Sequence, residues 1–263
     1  MFKSFKYILV LLILFKTASC HEKILEVGEE LNYKVYYGFI KLGEVSFRIS
    51  GTYTENKKTY YNAIARIKSY EGVPFVNINY IFETRFEHID DEIFSARFFS
   101  SEFKSKSITN IEYLFNYPDN LINIKKDIDN KSLKDTSVYL SELTKLQDGL
   151  SLFYNARLKS FSNKNYKVPV FINEKQSSLR YSFNMNRDVI SDDIADYDIS
   201  VIKVAGVADF VGVFGLTGEF IGWFSDDDAR VPVKYQFNVT IGSISLELVS
   251  YKKKNWKPPV YTG

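Results

Sequence analysis

The chain has 263 residues, 45% hydrophobic and 25% charged, a composition that excludes a disordered or low-complexity polypeptide. Its formal net charge of +2 is too small for the concentrated basic stripe that nucleic-acid binding requires. The 19 Tyr and 22 Phe against 2 Trp favour pleated, half-buried surfaces, where rings are buried and hydroxyls stay wet.

The first twenty residues read as a signal peptide. Lys3 and Lys6 precede Tyr7 to Phe15, an apolar run too short for a comfortable span of about 20 residues. Cys20 is the one cysteine, and Thr17-Ala18-Ser19-Cys20 resembles a bacterial lipoprotein box. Thr17 stands where an aliphatic residue is usual, so ordinary cleavage nearby is the alternative. Lipidation of Cys20 would tether a domain by its acyl chains, and the mature chain is expected to meet the membrane by that anchor alone.

A short connector, His21 to Lys23, leads to Leu25, Val27, Leu31, Tyr33, Val35 and Tyr37 at odd positions, with Val45, Phe47 and Ile49 resuming the alternation after Gly38 to Gly43. A period of two predicts a hairpin of half-buried strands. Further strands are expected at Thr59–Ile67, Tyr80–Ile89, Ile93–Ser100, Ile108–Tyr117 and Asn120–Asp127, the last two joined at Pro118-Asp119-Asn120. Ser69 to Phe75, with Gly72 and Pro74, reads as a connector or single helical turn. Ile128 to Ser141 is polar and reads as an exposed loop.

Asp148 to Leu158 is the best helix: Asp148 can cap the first turn, and Leu150, Phe153, Tyr154 and Leu158 share one face. One helix in a β protein covers a sheet or plugs a barrel end. Strands resume at Tyr166–Asn173, where Pro169 argues for an edge, at Ser178–Met185, and at Asp198–Val204, which reads as buried on both faces. Gly206, Gly212, Gly215, Gly218 and Gly222 lack the Gly-Lys-Ser/Thr of a phosphate loop and read as turns or close backbone approach.

Phe220–Phe224 is the first strand of the clearest hairpin, and Ser225-Asp226-Asp227-Asp228-Ala229 its turn. Val231, Val233, Tyr235, Phe237, Val239 and Ile241 then alternate with polar residues or Pro232, and Ile244, Leu246 and Leu248 form the last strand. Residues 24–252 read as one β-rich domain and 253–263 as a loose basic tail. The expected fold is mainly β: a large antiparallel curved sheet or barrel-like β-sandwich with one or two short helices.

Four segments carry a family resemblance. Gly28-Glu29-x-Leu31-x-Tyr33-x-Val35-x-Tyr37-Gly38-x-Ile40-x-x-Gly43, Phe82-x-x-x-Phe86, Asp148-x-x-Ser151-x-x-Tyr154-x-x-Arg157 and Trp223-Phe224-Ser225-Asp226-Asp227-x-x-Arg230-x-Pro232-Val233 stand in order over most of the mature chain. Together they resemble a bacterial envelope family catalogued as domain of unknown function thirty-one-zero-eight. The resemblance implies an exported, β-rich domain and carries over no catalytic residues. This chain departs from the pattern in extending its acidic run to Asp228.

Candidate chemistry is sparse. Asp226, Asp227 and Asp228 offer oxygen ligands to a cation such as Ca²⁺, but three consecutive side chains converge poorly on one ion. The turn motif Trp223, Ser225, Asp226, Asp227, Arg230 and Pro232 reads as structural, with Arg230 placed to pair with Asp226 or Asp227. His88 lacks a visible acid and nucleophile, and two His with one Cys make a transition-metal site a poor reading. Glu29 and Glu219 suit glycoside hydrolysis only if about 5–9.5 Å apart. The aromatic faces carry more: Tyr33, Tyr37, Phe47, Tyr80, Phe82, Tyr235 and Phe237 can line an apolar cavity. The expectation is a non-enzymatic envelope protein without cofactor or metal, exported to the bacterial periplasm or anchored facing it, that binds an apolar ligand such as lipid. The alternatives are an envelope scaffold or assembly factor binding a protein partner and, third, a hydrolase.

Overall fold

The computed structural model describes residues 23–74, 76–140, 144–239 and 242–263. The signal segment and Cys20 lie outside them, as does the end of the last alternating run at Thr240 and Ile241. The chain forms β1 (Glu30–Tyr37), β2 (Ile40–Glu55), β3 (Lys58–Ser69), β4 (Asn79–Ile89), β5 (Glu92–Lys104), β6 (Ser107–Asn116), β7 (Leu121–Ile128) and β8 (Lys131–Tyr139). After helix α1 (Gly149–Leu158) come β9 (Asn165–Ile172), β10 (Lys175–Ile190), β11 (Ile199–Ala208), β12 (Gly218–Ser225), β13 (Pro232–Asn238) and β14 (Ser243–Lys252).

The period of two builds these strands directly. In β1 the alternation buries Leu31, Tyr33 and Val35. Three two-residue hairpins, Asn56-Lys57, Asp129-Asn130 and Asn173-Glu174, hold positive φ at both loop residues, the twist that fits flanking strands. Each opens on Asn or Asp, which tolerate the left-handed region best after glycine.

All fourteen strands join one antiparallel sheet, in the order β8-β7-β6-β5-β4-β3-β2-β1-β14-β13-β12-β11-β10-β9. Strands near the two ends of the described chain, β1 and β14, pair at the middle of the sheet. The edges are β8 and β9, neighbours in sequence. The sheet curls until these edges approach without pairing: Tyr113 of β6 meets Phe171 of β9 edge-on at 5.1 Å, and Lys134 pairs with Glu174 at 2.5 Å. Residues 146–147 bridge the gap. Ser95 N–H donates to the Leu146 carbonyl, Gln147 N–H to the Pro169 carbonyl, and Phe171 N–H to the Gln147 carbonyl. Pro169 thus sits on an edge strand, where its missing N–H costs nothing.

Helix α1 crosses the inside of the curl. The Asp148 side chain accepts from the Leu150 and Ser151 N–H groups, and Ser151 Oγ accepts from Asp148 N–H, a reciprocal cap. Leu150, Tyr154 and Leu158 pack with Ile49, Ala63, Ala65, Phe86 and Ile93 of β2 to β5. The small alanines of β3 leave room for the helix.

Two expectations fail. Residues 131–139 form β8 rather than a loop; an edge strand is held by backbone bonds to β7 and needs no apolar period. The segment 253–263 is docked, not loose. Trp256 is 8% exposed and donates from Nε1 to Asp227 Oδ2 at 2.7 Å, while Ser200 N–H and Tyr261 N–H form backbone bonds to Pro259 and Asp198. Its anchors are one tryptophan and long-range backbone bonds, neither of which leaves a pattern in a Lys- and Pro-rich stretch.

Candidate ligand cavity

The curl of the sheet leaves a cavity of about 570 Å³ above helix α1, within the roughly 300–1,000 Å³ of ligand sites. Its floor is helical, from Gly149, Leu152, Phe153 and Ala156. The opposite end is bordered by Ile78 and Tyr80 at the start of β4, Glu102 near the end of β5, and residues 210–214 and 216 between β11 and β12. Phe153 stacks on Phe47 at 4.1 Å with planes 6° apart. A run of ring contacts links Tyr80, Phe82, Phe98, Tyr113 and Phe171 across β4, β5, β6 and β9. On the other wall Phe220 meets Phe237 at 5.5 Å, and Phe224 meets Tyr235 at 5.7 Å. Gly222 makes room there, because a Cβ would stand 2.7 Å from the Tyr235 ring.

Of the aromatic residues singled out from sequence, Phe47, Tyr80, Phe82, Tyr235 and Phe237 line this space. Tyr33 and Tyr37 do not. Tyr33 is 1% exposed, wedged edge-on against Phe47 and Phe153, and its hydroxyl donates to the Pro232 carbonyl at 2.8 Å. Burial pushes its pKa well up. Tyr37 packs against the cluster of Leu31, Val35 and Leu248. Phe98, Tyr113, Phe171, Tyr181 and Phe214 were not singled out, although Phe98, Tyr113 and Phe171 sit on strands with the same inward alternation.

Few polar groups reach the cavity. Asp148 is fully engaged: Oδ2 accepts from Thr84 Oγ1 at 2.5 Å and Ser95 Oγ at 2.6 Å, and Oδ1 from Leu150 N–H and Ser151 N–H. Burial raises its carboxyl pKa, and these donors pull it back only partly. The Tyr80 pKa is pushed up to about 12, first by burial and then by the Glu102 carboxylate beside it.

Beneath the floor, charge does structural work. Arg157 and Glu29 form a buried fork, Nη1 to Oε1 at 2.5 Å and Nη2 to Oε2 at 2.9 Å. Arg157 also donates to the carbonyls of Ala229 and Arg230, and Lys253 Nζ lies 2.7 Å from Glu29. Burial works against the Arg157 charge, but Glu29 outweighs it, so the guanidinium pKa rises. Asp148, Ser151, Tyr154 and Arg157, each at most 1% exposed, recur every third residue along a buried face of the helix. That spacing was present in the family motif and is the signal by which Arg157 could have been found.

The acidic turn is built the same way. Asp227 Oδ1 accepts from Ser225 Oγ, Ala229 N–H and Arg230 N–H. Asp226 pairs with Arg230 at 3.0 Å and with Arg187, and Asp228 with Lys23. The three carboxylates thus converge on no single partner: Asp226 and Asp227 hold Arg230 by its side chain and its N–H, and Asp228 meets Lys23. Among the described residues no group of three or more His, Cys, Asp or Glu could hold a metal ion. Trp223 lies on β12 and Pro232 opens β13. Glu29 and Glu219 stand in different settings: Glu29 is buried against Arg157 and Lys253, while Glu219 is the second residue of β12, opposite Val207 of β11. His88 sits on β4, edge-on to Tyr61 at 6.1 Å.

A family model described as "Protein of unknown function (DUF3108)" matches residues 32–249. No curated protein matches. Among solved structures, the beta-barrel-like protein of domain of unknown function DUF1849 from Brucella abortus superposes with a TM-score of 0.52 at 11% identity, over 88% of this chain and 99% of that one. This likeness is one of fold alone. A Bacteroides fragilis protein with a YmcC-like fold aligns over 87% of this chain and 97% of its own, at 9% identity and a TM-score of 0.32. Among the described residues no helix is long and apolar enough to cross a membrane.

Proposed function

The chain belongs to the DUF3108 family, and from the cavity it builds we propose that it is a non-enzymatic envelope protein that holds an apolar ligand such as a lipid. The observation that carries the reading is the 570 Å³ space between the aromatic sheet and the helical floor. A core free to collapse would fill such a volume, because each void forfeits contacts. Here the floor is fixed from below by Arg157, Glu29 and the reciprocal cap at Asp148, so the walls stand apart. Asp148, the charged group at that floor, is committed to four donors, which supports a binding role over acid–base chemistry. Export by the first twenty residues, and a periplasm-facing anchor at Cys20, belong to the same proposal.

Native mass spectrometry of protein purified from membranes tests it. Recovery of the bare polypeptide alone, with no lipid taken up when lipid is offered, sinks the reading. A Cys20→Ala chain should leave the membrane fraction; if it stays, the anchor is wrong. One observation favours the scaffold alternative. Phe39 is 95% and Leu133 61% exposed on the β1–β2 tip and on edge strand β8, and an edge offers unpaired backbone to a partner. Repeated capture of one protein by crosslinking in intact cells would support that second role.

A further inference from the structure

We infer that the head of the bound amphiphile donates hydrogen bonds, as a hydroxyl or an ammonium does, and is not a free carboxylate or phosphate. The inference rests on the ligand-holding reading above and adds the chemistry of the head group.

Among the described residues that line the cavity, the charged ones are Asp148 and Glu102, and none is Lys, Arg or His. Asp148, at the floor, already receives four donors. Glu102 differs. It lies near the end of β5, at the border remote from the helix, with its side chain 24% exposed. Lys104 pairs with it there, with Nζ 3.2 Å away, and the Glu102 charge acts on the Tyr80 hydroxyl. A carboxylate has about four lone-pair sites, so these neighbours leave capacity to accept from a ligand. The neighbouring wall is polar too: Glu102 faces Thr109 across the β5–β6 ladder, and Ser100 faces Ile111. Ser100, Glu102 and Thr109 all line the cavity. The remaining lining is mostly aliphatic and aromatic.

This arrangement sorts head groups by charge. A hydroxyl placed at Glu102 gains a charge-assisted hydrogen bond to the carboxylate, and an ammonium gains that bond and an ion pair as well. An anion there meets a carboxylate with no cation inside the cavity to offset its desolvation. The nearest cation, Lys104, is 59% exposed and already paired with Glu102.

The test uses three twelve-carbon probes with one tail: dodecanol, dodecylamine and dodecanoate, each displacing an environment-sensitive naphthalene dye from the purified protein. Dodecanol and dodecylamine should displace the dye at concentrations at least about tenfold below dodecanoate. Glu102→Gln should weaken dodecylamine by about tenfold and dodecanol by no more than about threefold, because the Gln carbonyl still accepts a hydroxyl. Its retained dodecanol affinity shows that the variant is folded. Lys104→Gln should strengthen dodecylamine by freeing the carboxylate. A larger loss for dodecylamine than for dodecanol supports Glu102 as the acceptor of the head group; no loss for dodecylamine overturns that assignment. Dodecanoate binding as tightly as the other two overturns the head-group inference while leaving the cavity reading intact. Displacement by none of the three overturns the cavity reading, and this inference with it.

Discussion

Replacing Arg157 with Met tests whether the floor is held by charge. Arg157 is fully buried and donates to both Glu29 oxygens and to two backbone carbonyls. Breaking a buried pair from one side costs about 3–5 kcal/mol. Here Lys253 stays 2.7 Å from Glu29, so the carboxylate keeps one cation and the pair's loss falls at the low end. The carbonyls of Ala229 and Arg230 lose a donor each, at about 1 kcal/mol apiece where no water replaces it. The sum is about 5 kcal/mol. At roughly 2–4 °C per kcal/mol for a domain of this size, the melting temperature should fall by about 10–20 °C. The assay is thermal unfolding followed by near-ultraviolet circular dichroism. Glu29→Gln and the double variant complete a cycle. The double variant should be less destabilised than the sum of the singles by about 0.5–3 kcal/mol, because removing both partners strands neither. A single Arg157→Met chain melting within about 2 °C of the parent, or strictly additive effects, would refute the reasoning.

Three further outcomes follow from the same contacts. Ala156→Phe projects a ring from the floor into the cavity; dye uptake should fall at least about fivefold with stability changed by less than about 1.5 kcal/mol, since the ring fills space rather than overpacking it. Trp256→Ala removes a buried ring, its contact with Tyr251 and the bond to Asp227; unfolding free energy should drop by about 3–5 kcal/mol, with limited proteolysis cutting first within residues 253–263. For Asp148, burial raises the folded-state carboxyl pKa above the ordinary 3.8, so the native state holds the proton more tightly than the unfolded chain. Stability from this group is present at low pH and declines as pH rises from about 4 through the folded pKa. Asp148→Asn should flatten that slope when stability is measured across this range; an unchanged slope assigns it to other groups.

Much of the fold was legible because a strand announces itself locally. Leu31, Tyr33 and Val35 alternate whatever their neighbours are, and a β protein with one capped helix followed from such runs and from Asp148. The Ser225 to Arg230 turn was legible for the same reason: Asp227 bonds the backbone two and three residues on. The cavity was half legible. Phe47, Tyr80, Phe82, Tyr235 and Phe237 lie on its wall, but Tyr33 alternates just as they do and is covered by Phe153. Alternation says which side of a sheet a ring faces, not what stands opposite it.

The sequence alone therefore determined where most strands lie, which of their faces are apolar, where the clearest turns fall, and the family to which the chain belongs. Tertiary structure decided the rest, because it depends on pairings between distant residues. Glu29 meets Arg157, Trp256 meets Asp227, and β1 closes on β14, each partner set by the curl of the whole sheet and not by any local period. The same curl made 131–139 an edge strand and drew the C-terminal segment into the body. The hairpin from Gly218 to Tyr251 shows both halves: its turn is written in neighbouring residues, while its buried face acquires an open space only because a helix anchored by Arg157 stops short of filling it.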